Sequence, residues 1–521
     1  MFDLLLTNAH IYDGTGNPWF RGDLAIRGDR IAAVGALNGA TAKVRIDAKG
    51  KAVSPGFVDA HVHGDLTVFT DPLHEPAIRQ GVTTYVLGQD GVAMAPASPA
   101  TLAYMCRYTA GFSGGFDWPM KDAPTWSTMA EYLAAIDRRS AVNAVCLVPN
   151  GNVRLEVMGL ETRQPTPDEL KRMGRLVREA MEQGAVGLSS GLDYIPSLYA
   201  DTAELTALCR EIAPFGGVYV THMRRYDPDG VGGSMDEVFQ IGRDSGAAVH
   251  ISHFNSRADL VLPRLDAARA AGIDATFDLY CYVAGSTILA MMALPPWAQE
   301  GGAAPTLRRL ADPAARARLH EYFRTPRVPL DSIRLSYLAH PDYRHLEGKT
   351  LPEAAGKTKP EAVGDFVCDV LIANELAVGC VVPHRNRDQT DVDALMRHPA
   401  MMAGSDGIYT GSCPHPRGCG CFARYLGHHV RNGTWPLETA VQRLSYHTAR
   451  RFGLRDRGLL AAGYAADVVV FDPATIADLS TYDSGKRLAV GVEHVVVNGE
   501  LVLHDGKRTQ ALPGRGLKRH D

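Results

Sequence analysis

The run Pro55-Gly56-Phe57-Val58-Asp59-Ala60-His61-Val62-His63 puts two imidazoles two residues apart. Along a strand, side chains two apart share a face. Phe57, Asp59, His61 and His63 are therefore expected to point one way, with both imidazoles reaching one metal ion. Such a pair alone is weak evidence, because histidines are common in cores and on surfaces. Three further residues strengthen it: His222 in the run Val218–Met223, His253 in Ala247–Phe254 and Asp406 in Ala400–Asp406, each at or near the end of its apolar run. Imidazole and carboxylate are the nitrogen and oxygen ligands that suit Zn²⁺. Strand carboxyl ends in a barrel face one mouth, so residues distant in sequence are expected to converge on one point.

Those positions need a scaffold. Short apolar runs alternate with amphipathic stretches, the pattern of βα units around a parallel sheet. The candidate strands are Phe57–His63, Thr83–Asp90, Ala144–Asn150, Ala185–Gly191, Val218–Met223, Ala247–Phe254, Ile273–Tyr280 and Ala400–Asp406. Eight strands with crossover helices predict an α/β fold, a metal-dependent (β/α)₈ or TIM barrel over residues 55–454. Thr166-Pro167-Asp168-Glu169 predicts a capping box with proline at the first helical position. Leu170, Met173, Leu176, Val177, Ala180 and Met181 follow at helical spacing, and Gly184 ends the run. Ser234-Met235-Asp236-Glu237 predicts a second box, with Gly246 closing its helix. The stretch at about 282–399 is too long for one loop and helix. It predicts an insertion between the last two barrel strands, on the side where loops build sites.

The two ends read differently. Asp3–Ala9, Gly22–Arg27 and Arg30–Gly35 at one end, and Asp467–Asp472, Val492–Asn498 and Glu500–His504 at the other, are short alternating runs. Ile26 to Ile31 reads as a hairpin turn, and Asn498-Gly499 is a strong hairpin signal. Neither end has enough strands alone, so residues 1–54 and 455–521 are expected to form one small β-sandwich domain assembled from both termini.

With 521 residues, 45% of them hydrophobic, the chain suits a large barrel plus a satellite. A formal net charge of −4, with no block of like charge, argues against nucleic acid or a membrane surface as partner. Met1–Asn8 carries Asp3 and no basic n-region, so it reads as a strand and not as a signal peptide. No transmembrane run is expected. Nine cysteines, an odd number, argue against a disulfide framework, and a cytoplasmic location is expected. Cys413, Cys419 and Cys421 lie close in sequence and read as free thiols in a loop, a metal site being the minor alternative.

The order HxH on strand one, His on strands five and six and Asp on strand eight resembles the amidohydrolase superfamily. The passages PGFVDAHVH, GVTTYVLGQDG, GAVGLSSGLDY, THMR, HISHF, DLYCYVAGST, GSDG, HPRGCG and LGHHVRNG narrow the resemblance to the N-acyl-D-amino-acid deacylases (D-aminoacylases). It runs from Asp3 to Gly516. It implies a small-molecule substrate, an N-acyl-D-amino acid hydrolysed to a carboxylate and a free D-amino acid. It also implies one or two Zn²⁺ ions, with Mn²⁺ or Co²⁺ as alternatives, on His61, His63, Asp90, His222, His253 and Asp406. Substrate contacts are implied at Tyr194, Tyr280, Ser286 and Arg417. Arg417 would grip the α-carboxylate through parallel hydrogen bonds.

The sequence departs from that pattern in several places. Many superfamily members bridge two metals with a carboxylated lysine on strand four, and Ala185–Gly191 holds no lysine. D-aminoacylases carry a cysteine after strand two, where Gly88-Gln89-Asp90-Gly91 presents Asp90. A carboxylate is a legitimate zinc ligand. It is harder than a thiolate, which shifts metal choice toward Mn²⁺ or Co²⁺. Asn255 stands where the family often has lysine, and Asn150 where relatives tend to have histidine.

Amide hydrolysis needs a nucleophile, an acid for the leaving amine and a home for the oxyanion. Zn²⁺ lowers the pKa of bound water from about 15.7 to about 7, so no Ser-His-Asp triad is expected. Asp406 is the expected proton shuttle and also a metal contact. The metal and Tyr280 are expected to polarise the scissile carbonyl. Two alternatives stand beside this reading. One is another enzyme on the same barrel, a hydantoinase- or dihydroorotase-like cyclic-amide hydrolase or a dipeptidase. The missing strand-four lysine and Arg417 weigh against it. The other is a non-catalytic scaffold, against which the full ligand set weighs.

Overall fold

The computed structural model describes residues 1–119, 121 and 123–520. The chain opens with β1 (Phe2–Ile11), β2 (Phe20–Arg27), β3 (Arg30–Gly35), β4 (Ala42–Asp47) and β5 (Ala52–Pro55). Gly28, at φ 57°, turns β2 into β3 as its sequence predicts. β1 pairs antiparallel with β2 and parallel with β4 and β5.

The barrel follows at once with β6 (Phe57–Asp59), β7 (Val82–Leu87), β8 (Asn143–Cys146), β9 (Val148–Pro149), β10 (Gly187–Gly191), β11 (Val218–His222), β12 (Ala248–Ile251) and β13 (Ala275–Leu279). β8 and β9 are halves of one strand interrupted at Leu147, whose N–H still bonds Leu87 O at 2.9 Å. An insertion then contributes β14 (Ala284–Ile288), β15 (Arg334–Leu338) and β16 (Val378–Pro383) before the last barrel strand, β17 (Met401–Ala403). Parallel pairing runs through β6-β7-β8 and through β9-β10-β11-β12-β13-β17. Two hydrogen bonds of 3.0 Å close the seams, Val186 N–H to Cys146 O and Ala60 N–H to Ala403 O. The result is a closed (β/α)₈ barrel.

Val58, Ala60, Val86, Val145, Leu147, Val186, Val218, Val220 and Met402 from these strands form one apolar cluster with Phe452, Leu454 and Leu517. Near the amino ends of the strands, Arg451 donates to Asp274 O at 3.0 Å and Arg519 to Phe215 O at 2.8 Å. The carboxyl-terminal segment thus ties that end down and leaves the other end for chemistry.

The helix Pro167–Glu182 starts as predicted, with Thr166 and Glu169 capping each other. The second predicted box is corrected. That helix runs Val231–Ser245, so Ser234 lies inside it, and its hydroxyl accepts from Arg225 N–H at 3.1 Å. Gly230, Gly232 and Gly233 read as loop, but buried Val231 packs the extra turn against the core.

The insertion has an apolar core of its own. β14, β16 and β15 form an antiparallel sheet, and Leu310, Leu319, Phe323, Leu335, Val367 and Leu371 pack with it. After the barrel come β18 (Val468–Phe471), β19 (Val492–Val497), β20 (Glu500–His504) and β21 (Lys507–Arg508). β18 pairs with β5, so strands from both ends make one continuous nine-stranded sheet. Leu4, Leu6, Leu24 and Ile26 from one end share a core with Val468, Val470 and Val496 from the other. Asn498 and Gly499, at φ 47° and 83°, make the β19–β20 hairpin.

Candidate active site

β6 stops at Asp59, and beyond it the period of two no longer applies. Phe57 does not face the mouth. It packs against Phe422 and Phe471, ring centroids 6.2 and 6.3 Å away. His61 and His63 do reach the mouth, and both are buried. Asp59 accepts from His61 N–H at 3.2 Å and from Ser405 N–H at 2.8 Å. Asp406 N–H donates to His61 O at 2.7 Å, and His63 N–H to Gly407 O at 3.0 Å. The exits of the first and last strands are therefore laced together, which sets Asp406 beside the two histidines.

Asp90 sits in the tight turn Gln89–Gly91 after β7, at φ 56° and ψ 23°. That left-handed conformation is one aspartate tolerates better than most residues. Ser189 on β10 holds the turn, its hydroxyl donating to Gly88 O and accepting from Gly91 N–H at 3.1 Å. Ser189 lies in a Gly-x-Ser-x-Gly string, as does Ser113. Neither is a triad nucleophile: Ser189 shapes the Asp90 turn, and Ser113 is paired with Thr109 at 2.9 Å.

The donors converge. His63 Nε2 lies 3.2 Å from Asp406 Oδ1 and 3.6 Å from Asp90 Oδ2. His61 Nε2 lies 3.6 Å from Asp90 Oδ1 and 3.8 Å from Asp406 Oδ1. His222 Nδ1 and His253 Nε2 are 3.0 Å apart, at 3.8 and 3.7 Å from Asp90 Oδ2. Ligands at bond lengths of about 2.0–2.2 Å around one ion sit roughly 3–3.6 Å from each other. Buried polar atoms nearly always have hydrogen-bond partners, yet His61 Nε2 and Asp90 Oδ1 have none and face one another. Two groups of these donors could each hold a divalent ion, His61 with His63 and Asp406, and His61 with Asp90 and His253, and His222 Nδ1 lies beside the second.

Asp278 on β13 orients this set. Its Oδ2 lies 3.3 Å from His61 Nδ1 and 3.1 Å from His250 Nε2, and its Oδ1 accepts from His253 N–H at 2.8 Å. A proton on Nδ1 directed at the carboxylate leaves the Nε2 lone pair free for a metal. Burial opposes charge on His61, but Asp278 and Asp90 outweigh it and raise its pKa to about 10. Burial also opposes charge on Asp90, and His61, His222 and His253 still hold its carboxyl well below the usual range. The pocket thus draws positive charge. Asp278→Asn is expected to weaken divalent-ion affinity about 10–100-fold, measured by chelator competition. An unchanged affinity would remove the orienting role. The sequence did contain a signal for Asp278, its shared strand face with Tyr280, but no local pattern ties it to His61.

Comparison with known proteins identifies the family. The amidohydrolase family model matches residues 45–503. The chain belongs to the amidohydrolase family. D-aminoacylase of Alcaligenes xylosoxydans xylosoxydans is 36% identical, over 99% of this chain and 98% of the relative. N-acyl-D-glutamate deacylase of the same organism is 35% identical, over 99% and 96%. A solved structure of N-acyl-D-glutamate deacylase from Bordetella bronchiseptica, complexed with zinc and a phosphonate mimic of the tetrahedral intermediate, matches with a TM-score of 0.81. It is 33% identical, and 99% of each chain is covered.

Above the donors this amidohydrolase has a cavity of about 530 Å³, lined by Asp90, His222, His253, Asp406, Tyr194, Tyr280, Ser286 and Arg417 among others. His61 and His63 lie beneath it. Arg417 is fully buried, with Nη1 2.8 Å from Asp406 Oδ2 and Nη2 donating to Ser286 O at 3.1 Å. Burial opposes charge on Asp406, but Arg417 and His63 bring its pKa down to about 2. Arg417 also lies over the Tyr280 ring at 4.4 Å. The Tyr280 hydroxyl is held between Asn255 Nδ2 at 2.8 Å and His384 Nε2 at 2.7 Å. Tyr194 Oη pairs with Thr287 Oγ1 at 2.7 Å, and the Ser286 hydroxyl donates to Cys380 O at 2.9 Å. His384, Thr287 and Ser286 all come from the inserted segment. Nothing local in sequence marks His384, because only the fold of the insertion returns it to the barrel.

Cys419 and Cys421 are corrected from loop to helix: both are buried in the helix Arg417–Arg424. Cys421 Sγ lies 3.9 Å from Cys281 Sγ, and the three cysteines form no metal-holding group among the described residues. No helix among those residues is long and apolar enough to cross a membrane.

Proposed function

We propose that this amidohydrolase cleaves the amide bond of N-acyl-D-amino acids, giving a carboxylate and a free D-amino acid. One or two divalent ions, with Zn²⁺ first and Mn²⁺ or Co²⁺ as alternatives, would sit on His61, His63, Asp90, His222, His253 and Asp406. The observation that carries the reading is Arg417, a buried guanidinium in contact with Asp406 at the metal-ligand cluster. An N-acyl amino acid holds its carboxylate two bonds from the scissile nitrogen, which matches a cation placed beside the proton carrier. The D configuration rests on the full-length likeness to two D-specific deacylases.

A bound divalent ion supplies a Lewis acid for the carbonyl and lowers the pKa of water. Asp406, held ionised by Arg417, takes the water proton and delivers it to the leaving nitrogen. Arg417 Nε, which has no hydrogen-bond partner, offers the α-carboxylate a charged donor. Tyr280 is assigned to the scissile carbonyl, and Tyr194 and Ser286 complete the substrate contacts. In this reading the barrel at 55–454 is the catalytic unit, and the insertion at about 282–399 walls its cavity. The β domain of 1–54 plus 455–521 adds no lining residue among those described. Nine free cysteines suit a reducing cytoplasm.

The test is metal-reconstituted enzyme on N-acetyl-D-amino acids, their L-enantiomers and hydantoins. Turnover of the D series alone is expected, and hydantoin or equal L turnover would overturn the reading. In the same assay Arg417→Ala should lower kcat/KM tens- to hundreds-fold. An unchanged value would remove its carboxylate role.

A further inference from the structure

D-aminoacylase and N-acyl-D-glutamate deacylase resemble this chain almost equally, so likeness leaves the substrate side chain open. The cavity does not. One wall is apolar, built by Met291, Met292, Val328, Pro329, Val382 and Pro383 of the insertion. Met292, Val328 and Val382 are half-buried and back onto the insertion's own core. The shelf is therefore anchored on folded structure.

The cations around the cavity are nearly all committed. Arg224 pairs with Glu237 at 2.8 and 3.0 Å, Arg225 with Asp227 at 2.8 and 2.5 Å, and Arg327 with Asp193 at 3.1 and 2.9 Å. Each of these three meets its carboxylate at two points, which leaves little net attraction for a second acid, whereas Arg417 keeps its buried Nε without a partner for the α-carboxylate. Burial, together with Arg387 and Arg417, holds the His384 pKa well below its usual value, so that ring is neutral. Asn255 gives Nδ2 to Tyr280 and leaves Oδ1 buried without a partner, and an acceptor there repels an acid. Among the lining cations other than Arg417, Arg385 is the exception, an exposed side chain 3.9 Å from Asp331, where salt screens it; Arg387 lies behind the Tyr280 ring and does not line the cavity.

We propose that the shelf receives the substrate side chain, so the enzyme selects bulky uncharged D-residues such as methionine, leucine and phenylalanine over D-glutamate and D-aspartate. This rests on the deacylase reading above. Two substrate series test it on metal-reconstituted enzyme. One varies the side chain of N-acetyl-D-amino acids, and the other varies the acyl group on D-methionine from formyl to hexanoyl. The apolar D-residues should exceed the acidic ones in kcat/KM by about 100-fold or more. Val382→Asp should lower the ratio of D-methionine to D-alanine turnover about tenfold, since a methyl side chain gains little from the shelf. Met292→Ala, a milder change, should lower the same ratio. A lead for D-glutamate or D-aspartate, lost in Arg385→Ala, would hand the side chain to that arginine and overturn the proposal. A Val382→Asp loss that follows acyl length instead of side chain would also overturn it. No turnover of any N-acetyl-D-amino acid would overturn the deacylase reading itself, an outcome distinct from a wrong ranking.

Discussion

Asp406→Asn is expected to lower kcat by about 10²–10⁴-fold, the range for losing a positioned general acid–base. Asparagine suits the control. Asp406 has φ 49°, a left-handed conformation that asparagine tolerates, and the backbone bond to His61 O survives the change. What goes is the charge that takes a proton, leaving Arg417 without its 2.8 Å partner. Steady-state kinetics with elemental analysis of bound metal separates the two roles given to Asp406. Loss of kcat with normal metal content identifies the proton carrier, and loss of metal identifies the ligand. A kcat within about tenfold of the parent enzyme, with metal in place, would end its assignment as the shuttle.

Asp90→Asn should have the next largest effect, through metal binding. Asp90 is the one carboxylate within 4 Å of all four histidine donors among the described residues. Neutralising it takes away the one negative charge that all four histidine donors share. Divalent-ion affinity is expected to fall about 100-fold or more, with fewer ions retained on dialysis. Asparagine keeps the left-handed turn at φ 56°, whereas alanine would add backbone strain to the readout. Asp90→Cys tests the chemistry of the position: a thiolate is softer, so competition should move from Mn²⁺ or Co²⁺ toward Zn²⁺. Equal ion number and affinity in Asp90→Asn would show that Asp90 is a turn residue and not a ligand.

The legible part of this protein was written locally. His61 and His63 carry their spacing in the chain, and Thr166 with Glu169 is a complete capping signal within four residues. Gly28 and Gly499 mark turns because only a positive φ closes them. The errors fall where a local rule outran its element. Period two holds only within β6, which ends at Asp59, so the phase of His61 and His63 does not extend back to Phe57, which packs against Phe471. Ser234 matched a capping string but sits a turn inside its helix, because burial of Val231 outweighs the glycines around it.

The sequence by itself determined the candidate ligand types, their order along the barrel strands and the barrel that gathers them. Strand and helix periodicities are set by backbone dihedrals, and strand-end residues of a closed barrel have only one mouth to face. Tertiary structure alone decided how the ligands are held and what surrounds them. Asp278 meets His61 across 217 residues of chain, and His384 meets Tyr280 across 104. Only the resemblance marks Arg417 in the sequence, and the fold is what buries it on Asp406. The apolar shelf exists only because the insertion folds around its own core and returns to the cavity. Such contacts depend on barrel closure and on packing between distant segments, and no spacing along the chain encodes them.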